Sequence, residues 1–190
     1  MKKPSDWENV TAYGSYEALE LGGHICKIMQ VEETKSKNGK DMITISLDIA
    51  EGKQAGYYAR EYKTNDRENK KWGCVVYQLL EDNDGNTNKG FKTFIDAVKR
   101  SNPKFDETIL WSDEFCTYLK NKLVGGVFGR EQYLNRYGEK KFSTKCMQFR
   151  DVEAIRKGVE VPEDKLLRTV EQNNWLNDFA SVGNDDDLPF

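Results

Sequence analysis

The chain has 190 residues, 37% of them hydrophobic and 12% aromatic, enough for one buried core with a polar appendage. No apolar run approaches the length that crosses a bilayer, and MKKPSDWENV has no apolar segment behind its lysines, so the expectation is no membrane association and a cytoplasmic location. The net charge of -3 is unevenly spread: from Val159 onward eight carboxylates face only Lys165 and Arg168, a balance of -6 that leaves +3 for residues 1–158.

A mildly basic body with an acidic tail is a recurrent design among nucleic-acid binders. Cys26, Cys74, Cys116 and Cys146 are widely spaced, without a CxxC pair, and His24 is the sole histidine. Neither a zinc site nor a disulfide framework is expected, and no metal or cofactor.

In chain order, residues 23–33 and 41–50 read as a hairpin around SKNGK, whose Asn38-Gly39 pair suits a tight turn. The second run alternates: Ile43, Ile45, Leu47 and Ile49 take a core face, while Met42, Thr44, Ser46 and Asp48 take a wet or ligand-facing side. After a turn over residues 52–56, YYAREYK reads as a third strand with Tyr58, Arg60 and Tyr62 on one face. A polar, basic loop ending at Trp72 follows, then CVVYQLL, which suits strand or helix.

GFKTFIDAVKRS is a helix, with Phe91, Phe94, Ile95 and Val98 at helical spacing and Pro103 beyond its end. A shorter helix is expected after Ser112. KLVGGVFGRE, with glycines suggesting bending or close backbone approach, pairs as a strand with KKFSTKCMQF across QYLNRYG. Residues 151–157 form a helical turn closed by Gly158.

Three strands, a helical insert and two strands is the order of the OB-fold, a five-stranded Greek-key barrel that binds ligands on strands 2 and 3 and on the 1-2 and 4-5 loops. The fold class is thus mainly β with helices between strands 3 and 4. Residues 1–158 form the domain, and residues 159–190 an acidic, largely disordered tail.

Basic and aromatic residues collect where such a fold would use them. Lys35, Lys37 and Lys40 lie in the first hairpin, Tyr58, Arg60, Tyr62 and Lys63 on the expected third strand, and Lys70, Lys71 and Trp72 just beyond. Arg130, Tyr133, Arg136, Tyr137, Lys140 and Lys141 surround the last hairpin. Aromatic rings stack on unpaired bases and cations neutralise phosphates, so the interleaving suits single strands better than duplex. An enzyme is hard to assemble: there is no phosphate-binding loop motif, and Asp82-Asn83-Asp84-Gly85 is a polar turn, since the twelfth position of a calcium loop would be Thr93.

The chain ends in DDDLPF, where Asp185, Asp186, Asp187, Leu188, Pro189 and Phe190 offer a partner several charges and one aromatic anchor. This ending resembles the acidic tip, Asp-Asp-Asp-(Ile/Leu)-Pro-Phe, of bacterial and phage single-stranded DNA-binding (SSB) proteins. The body, through GGHICKI, SKNGKDMITISLDIAEG, GYY, LVGGVFG, GREQY and FRDVEAIRKG, is similar to SSB-like proteins from phages and prophages of Gram-positive bacteria. The resemblance implies a non-enzymatic, sequence-tolerant protein that binds single-stranded DNA in phage replication or recombination in the bacterial host's cytoplasm. Its tip would recruit replication, recombination and repair enzymes and compete with DNA for the basic body. The insert over residues 81–119 departs from the common SSB domain, so tetramer formation does not carry over, and a homo-oligomer is left open. The alternative is a protein-interaction or recombination-mediator module whose tail mimics an SSB tip.

Overall fold

The computed structural model describes residues 2, 3, 5 and 17–167. Its framework is one antiparallel sheet of five strands: β1 (Gly22–Lys35), β2 (Asp41–Ile49), β3 (Val75–Leu79), β4 (Leu123–Leu134) and β5 (Lys140–Arg150). The strand order is β3-β2-β1-β4-β5, with β1 central and the edges formed by β3 and β5. The molecule is therefore mainly β, with an open sheet and helices. Gly39, at φ +80°, closes the β1–β2 hairpin, with Ser36 N donating to Lys40 O at 2.8 Å. The expected face of Ile43, Ile45, Leu47 and Ile49 is buried. On the opposite face Met42 and Asp48 are buried too, and only Thr44 and Ser46 are half-buried, so that side is less wet than the alternation implied.

The expected third strand is instead a helix, α1 (Tyr57–Thr64), and the third strand is β3, within CVVYQLL. Two features decide this. Gly56, at φ +71°, turns the chain out of β2, and the buried Asp48 carboxylate accepts from the Tyr58 N–H at 2.9 Å, supplying the new helix with an acceptor for one of its unpaired donors. Ala59, Arg60, Glu61 and Lys63 also favour helix, which outweighs the strand preference of the tyrosines. The face of Tyr58, Arg60 and Tyr62 therefore does not exist as a strand face.

Between β3 and β4 lie α2 (Lys89–Ser101), a 3-10 helix (Glu107–Trp111) and α3 (Phe115–Leu119), which is the helix expected after Ser112. The Asn88 side chain caps α2 through Gly90 N at 2.8 Å, and Phe91, Phe94, Ile95 and Val98 are buried as their spacing required. That helix packs against β4 and β5, with Phe94 and Phe149 at 4.8 Å between ring centroids. Asp82 accepts from Asp84 N and Asn86 N, each at 2.9 Å, which makes the acidic stretch a polar turn. The helical turn after β5 is α4 (Val152–Lys157), capped by Asp151.

Residues 159–167, grouped with the tail by composition, run along the body. Val159 and Val161 approach Gly23 and Gly22, and Pro162 approaches Gly129. Lys165 pairs with Glu131 in a parallel bridge, donating from its N–H to Arg130 O at 2.9 Å and accepting from Gln132 N at 2.8 Å. A side chain on Gly129 would come within 2.6 Å of Met147 Sδ, so this glycine serves the close approach its strand suggested.

Candidate nucleic-acid interface

Strand register fixes where the basic groups lie. Strands β1 and β4 pair from Gly22↔Phe128 to Lys27↔Leu123. Beyond Lys27, β1 continues to the first hairpin; beyond Phe128, β4 continues the opposite way, with β5 as its ladder partner as far as Leu134↔Lys140. The two basic hairpins thus leave the shared segment at opposite ends. At the first, Lys35 pairs with Asp41 at 2.6 Å, Lys40 bonds the Asn83 side chain, and Lys37 is exposed. These lysines stand apart from the rest.

Residues 129–134 and 140–145 form a two-stranded arm. Its turn is built on Asn135, whose side chain accepts from Tyr137 N at 2.9 Å and Glu139 N at 3.0 Å, with Gly138 at φ +76°. Along one face lie Arg130, Gln132, Leu134, Lys140, Phe142 and Thr144, continuing the row of Phe128 and Cys146; along the other lie Glu131, Tyr133, Lys141, Ser143 and Lys145. Aromatic surface is left in water: Tyr133 is 43% exposed, Tyr137 72% and Phe142 42%. The arm has outrun the helices that bury the core, which is why these rings stay open. Two cations already stand over rings, Arg136 at 4.7 Å from the Tyr137 centroid and Arg130 at 5.2 Å from that of Phe142. Lys141 meets Glu139 at 3.4 Å, while among the described residues Arg136, Lys140 and Lys145 have no carboxylate within ion-pair distance.

The group on α1 and its following loop sits at the arm's end of the sheet. Gly56 N donates to Ile49 O at 2.8 Å, the Tyr58 ring stacks on Phe128 at 6.5 Å, and the charge of Lys145 reaches Cys74. Arg60, Lys63 and Lys71 are exposed. Tyr58, a proposed ligand contact, is 5% exposed and belongs to the core, because the helix turns it inward against Phe128. Trp72 packs on the core as well: its indole N–H donates to Leu47 O at 2.7 Å and its ring lies 5.6 Å from Tyr62. Tyr62 carries the Lys70 ammonium at 4.6 Å. Tyr62 and Trp72 are therefore engaged within the fold; apart from Trp111 on the 3-10 helix, the open aromatic surface among the described residues is on the arm.

Phe142 and Lys145 belong to this surface and escaped the sequence reading. The signal was present in KKFSTK, which interleaves bases and a ring as the neighbouring turn does. The four cysteines are free. Burial pushes the thiols of Cys26, Cys74 and Cys146 up, that of Cys74 to about 12, which disfavours the thiolate form that attacks electrophiles and binds metals. The tip residues Asp185, Asp186, Asp187, Leu188, Pro189 and Phe190 lie outside the described residues. No helix among the described residues is long and apolar enough to cross a membrane. No protein-family model matches the chain, and no curated protein shows significant similarity to it.

Proposed function

We propose that this chain is a non-enzymatic, sequence-tolerant single-stranded DNA-binding protein with an OB-like body, serving phage replication or recombination and recruiting partner enzymes through DDDLPF. The observation that carries the reading is the arm. Three half-open or open rings alternate there with bases that lack carboxylate partners among the described residues, beside the exposed cations of α1. Rings offer stacking to any base, and cations engage the backbone without reading sequence, so the pairing suits a flexible strand whose bases are turned out.

The OB-like assignment is supported by β1 pairing with both β2 and β4, by β5 lying beside β4, and by helices between β3 and β4. In the barrel form of that fold, β3 and β5 are the strands that come together, and here they are the two edges. A strand of DNA lying between the arm and α1 would meet Arg136, Tyr137, Lys140 and Phe142 on one side and Arg60, Lys63 and Lys71 on the other.

Titration of fluorescent oligo(dT) across salt concentrations tests the reading. With four phosphates engaged, the slope of log affinity against log salt should be about -3, at roughly -0.7 per contact. A slope near zero would remove the proposal. Magnesium-dependent destruction of the oligonucleotide would make the protein a nuclease instead.

A further inference from the structure

Arg130 was expected to neutralise phosphate, yet its surroundings suit a different task. Its Nε and Nη2 donate side-on to the two carboxylate oxygens of Asp164, at 2.8 and 2.6 Å. This fork fixes the guanidinium plane and compensates its charge. The same guanidinium stands 5.2 Å from the centroid of Phe142, which shares its face of the arm and remains 42% exposed.

Resting on the single-strand reading above, we propose that Arg130 and Phe142 together form a stacking platform for one nucleobase and that Asp164 is the residue that positions it. Guanidinium planes and aromatic rings both stack on unpaired bases. An arginine already paired with a carboxylate has little charge left for phosphate, but its flat face stays available. Phosphate contact falls to Arg136, in the turn, and to Lys140, on the same face.

An isolated surface ion pair would be too loose for this role. Asp164 is held by its backbone instead. The next residue, Lys165, is bridged to β4 through hydrogen bonds to Arg130 O and from Gln132 N, and its ammonium meets Glu131 at 3.0 Å. Two residues before Asp164, Pro162 lies against Gly129. The segment after Val159 is thus fastened to the free edge of β4 by a single parallel bridge, and it delivers a carboxylate to a fixed point on the arm.

The test uses the full chain and fluorescent oligo(dT) over a range of salt, comparing Arg130→Ala, Arg130→Lys, Asp164→Ala and Asp164→Asn with Lys140→Ala. Loss of a stacking contact corresponds to roughly 5- to 150-fold weaker binding. That loss is expected for both Arg130 variants, since lysine keeps the charge but not the plane, and the salt slope should not change. Asp164→Ala should weaken binding in the same way with an unaltered thermal transition, whereas Lys140→Ala should flatten the slope by about 0.7. Three results would overturn the proposal: full binding by Arg130→Lys, a flatter slope for Arg130→Ala, or tighter binding with a steeper slope for Asp164→Asn. The last would mean that Asp164 masks a phosphate contact. If the unaltered chain fails to bind oligo(dT) at any salt concentration, the single-strand reading itself falls, which the variants alone could not reveal.

Discussion

The carboxylate of Asp48, buried on β2, accepts a hydrogen bond from the backbone N–H of Tyr58 at 2.9 Å, and so ties the start of α1 to the sheet. It also accepts from Ile49 N at 2.9 Å. Replacing Asp48 by alanine should cost about 1–2 kcal/mol, the range for a lost helix cap, read as a lower urea midpoint. Asparagine, a good cap acceptor, should recover most of it. An unchanged midpoint in Asp48→Ala would show that α1 is set by Gly56 alone.

Trp72 and Tyr137 should separate cleanly as core and surface. Trp72→Ala removes a ring packed on the core and its bond to Leu47 O, so the thermal transition should fall; a buried aromatic truncated to alanine typically costs about 3–5 kcal/mol, and Trp72, being half-buried, should cost less. Tyr137→Ala removes a ring that is 72% exposed, and should leave the transition in place while weakening oligo(dT) binding by roughly 1–3 kcal/mol. The opposite pattern would reverse the two assignments.

Alkaline pH should destabilise the fold through its thiols. Burial raises Cys74 from its ordinary 9.0 to about 12, and raises Cys26 and Cys146 as well. Between those values the unfolded chain has lost protons that the folded chain keeps, so stability is complete below about pH 8.5 and declines as pH rises toward 12. Each group contributes at most about 1.4 kcal/mol per pH unit. Urea unfolding under reducing conditions at several pH values would reveal the slope, and Cys74→Val should reduce it; a flat profile above pH 9 would contradict the burial of these thiols.

Removing residues 185–190 should leave the thermal transition unchanged and abolish capture of a replication or repair enzyme. Oligo(dT) affinity should rise slightly at low salt, where an anionic segment competes best for basic groups, and the gain should fade as screening shortens to roughly 10 Å at 0.1 M salt. Unfolding of the shortened chain would instead make DDDLPF part of the packed structure.

How much of this was legible depended on how locally each feature is encoded. The β1–β2 hairpin announced itself through Asn38-Gly39 and the alternation of Ile43 to Ile49, and α2 through the spacing of Phe91, Phe94, Ile95 and Val98, because turn chemistry and periodicity are local. YYAREYK misled because Tyr58 and Tyr62, four residues apart, share a face in strand and helix alike, and the deciding hydrogen-bond acceptor is Asp48, ten residues earlier. The role of Trp72 was hidden for the same reason: its acceptor is Leu47, twenty-five positions away. At the interface, the basic and aromatic residue types were readable, but their division between two ends of the sheet is a property of register. Phe142 lost its place in the reading because nothing near it in sequence says where the core stops covering β5.

The bridge between Lys165 and Glu131 also decides where the chain can be cut. Fragments ending at Gly158, the boundary that composition alone recommends, would strip the cover from the β4 edge beyond Phe128 and leave its N–H and C=O groups as a template for another molecule's strand. Such fragments should precipitate or cross-associate during purification, whereas fragments ending a few residues past Lys165 should remain monodisperse; the shortest well-behaved body is therefore longer than the acidic composition suggests.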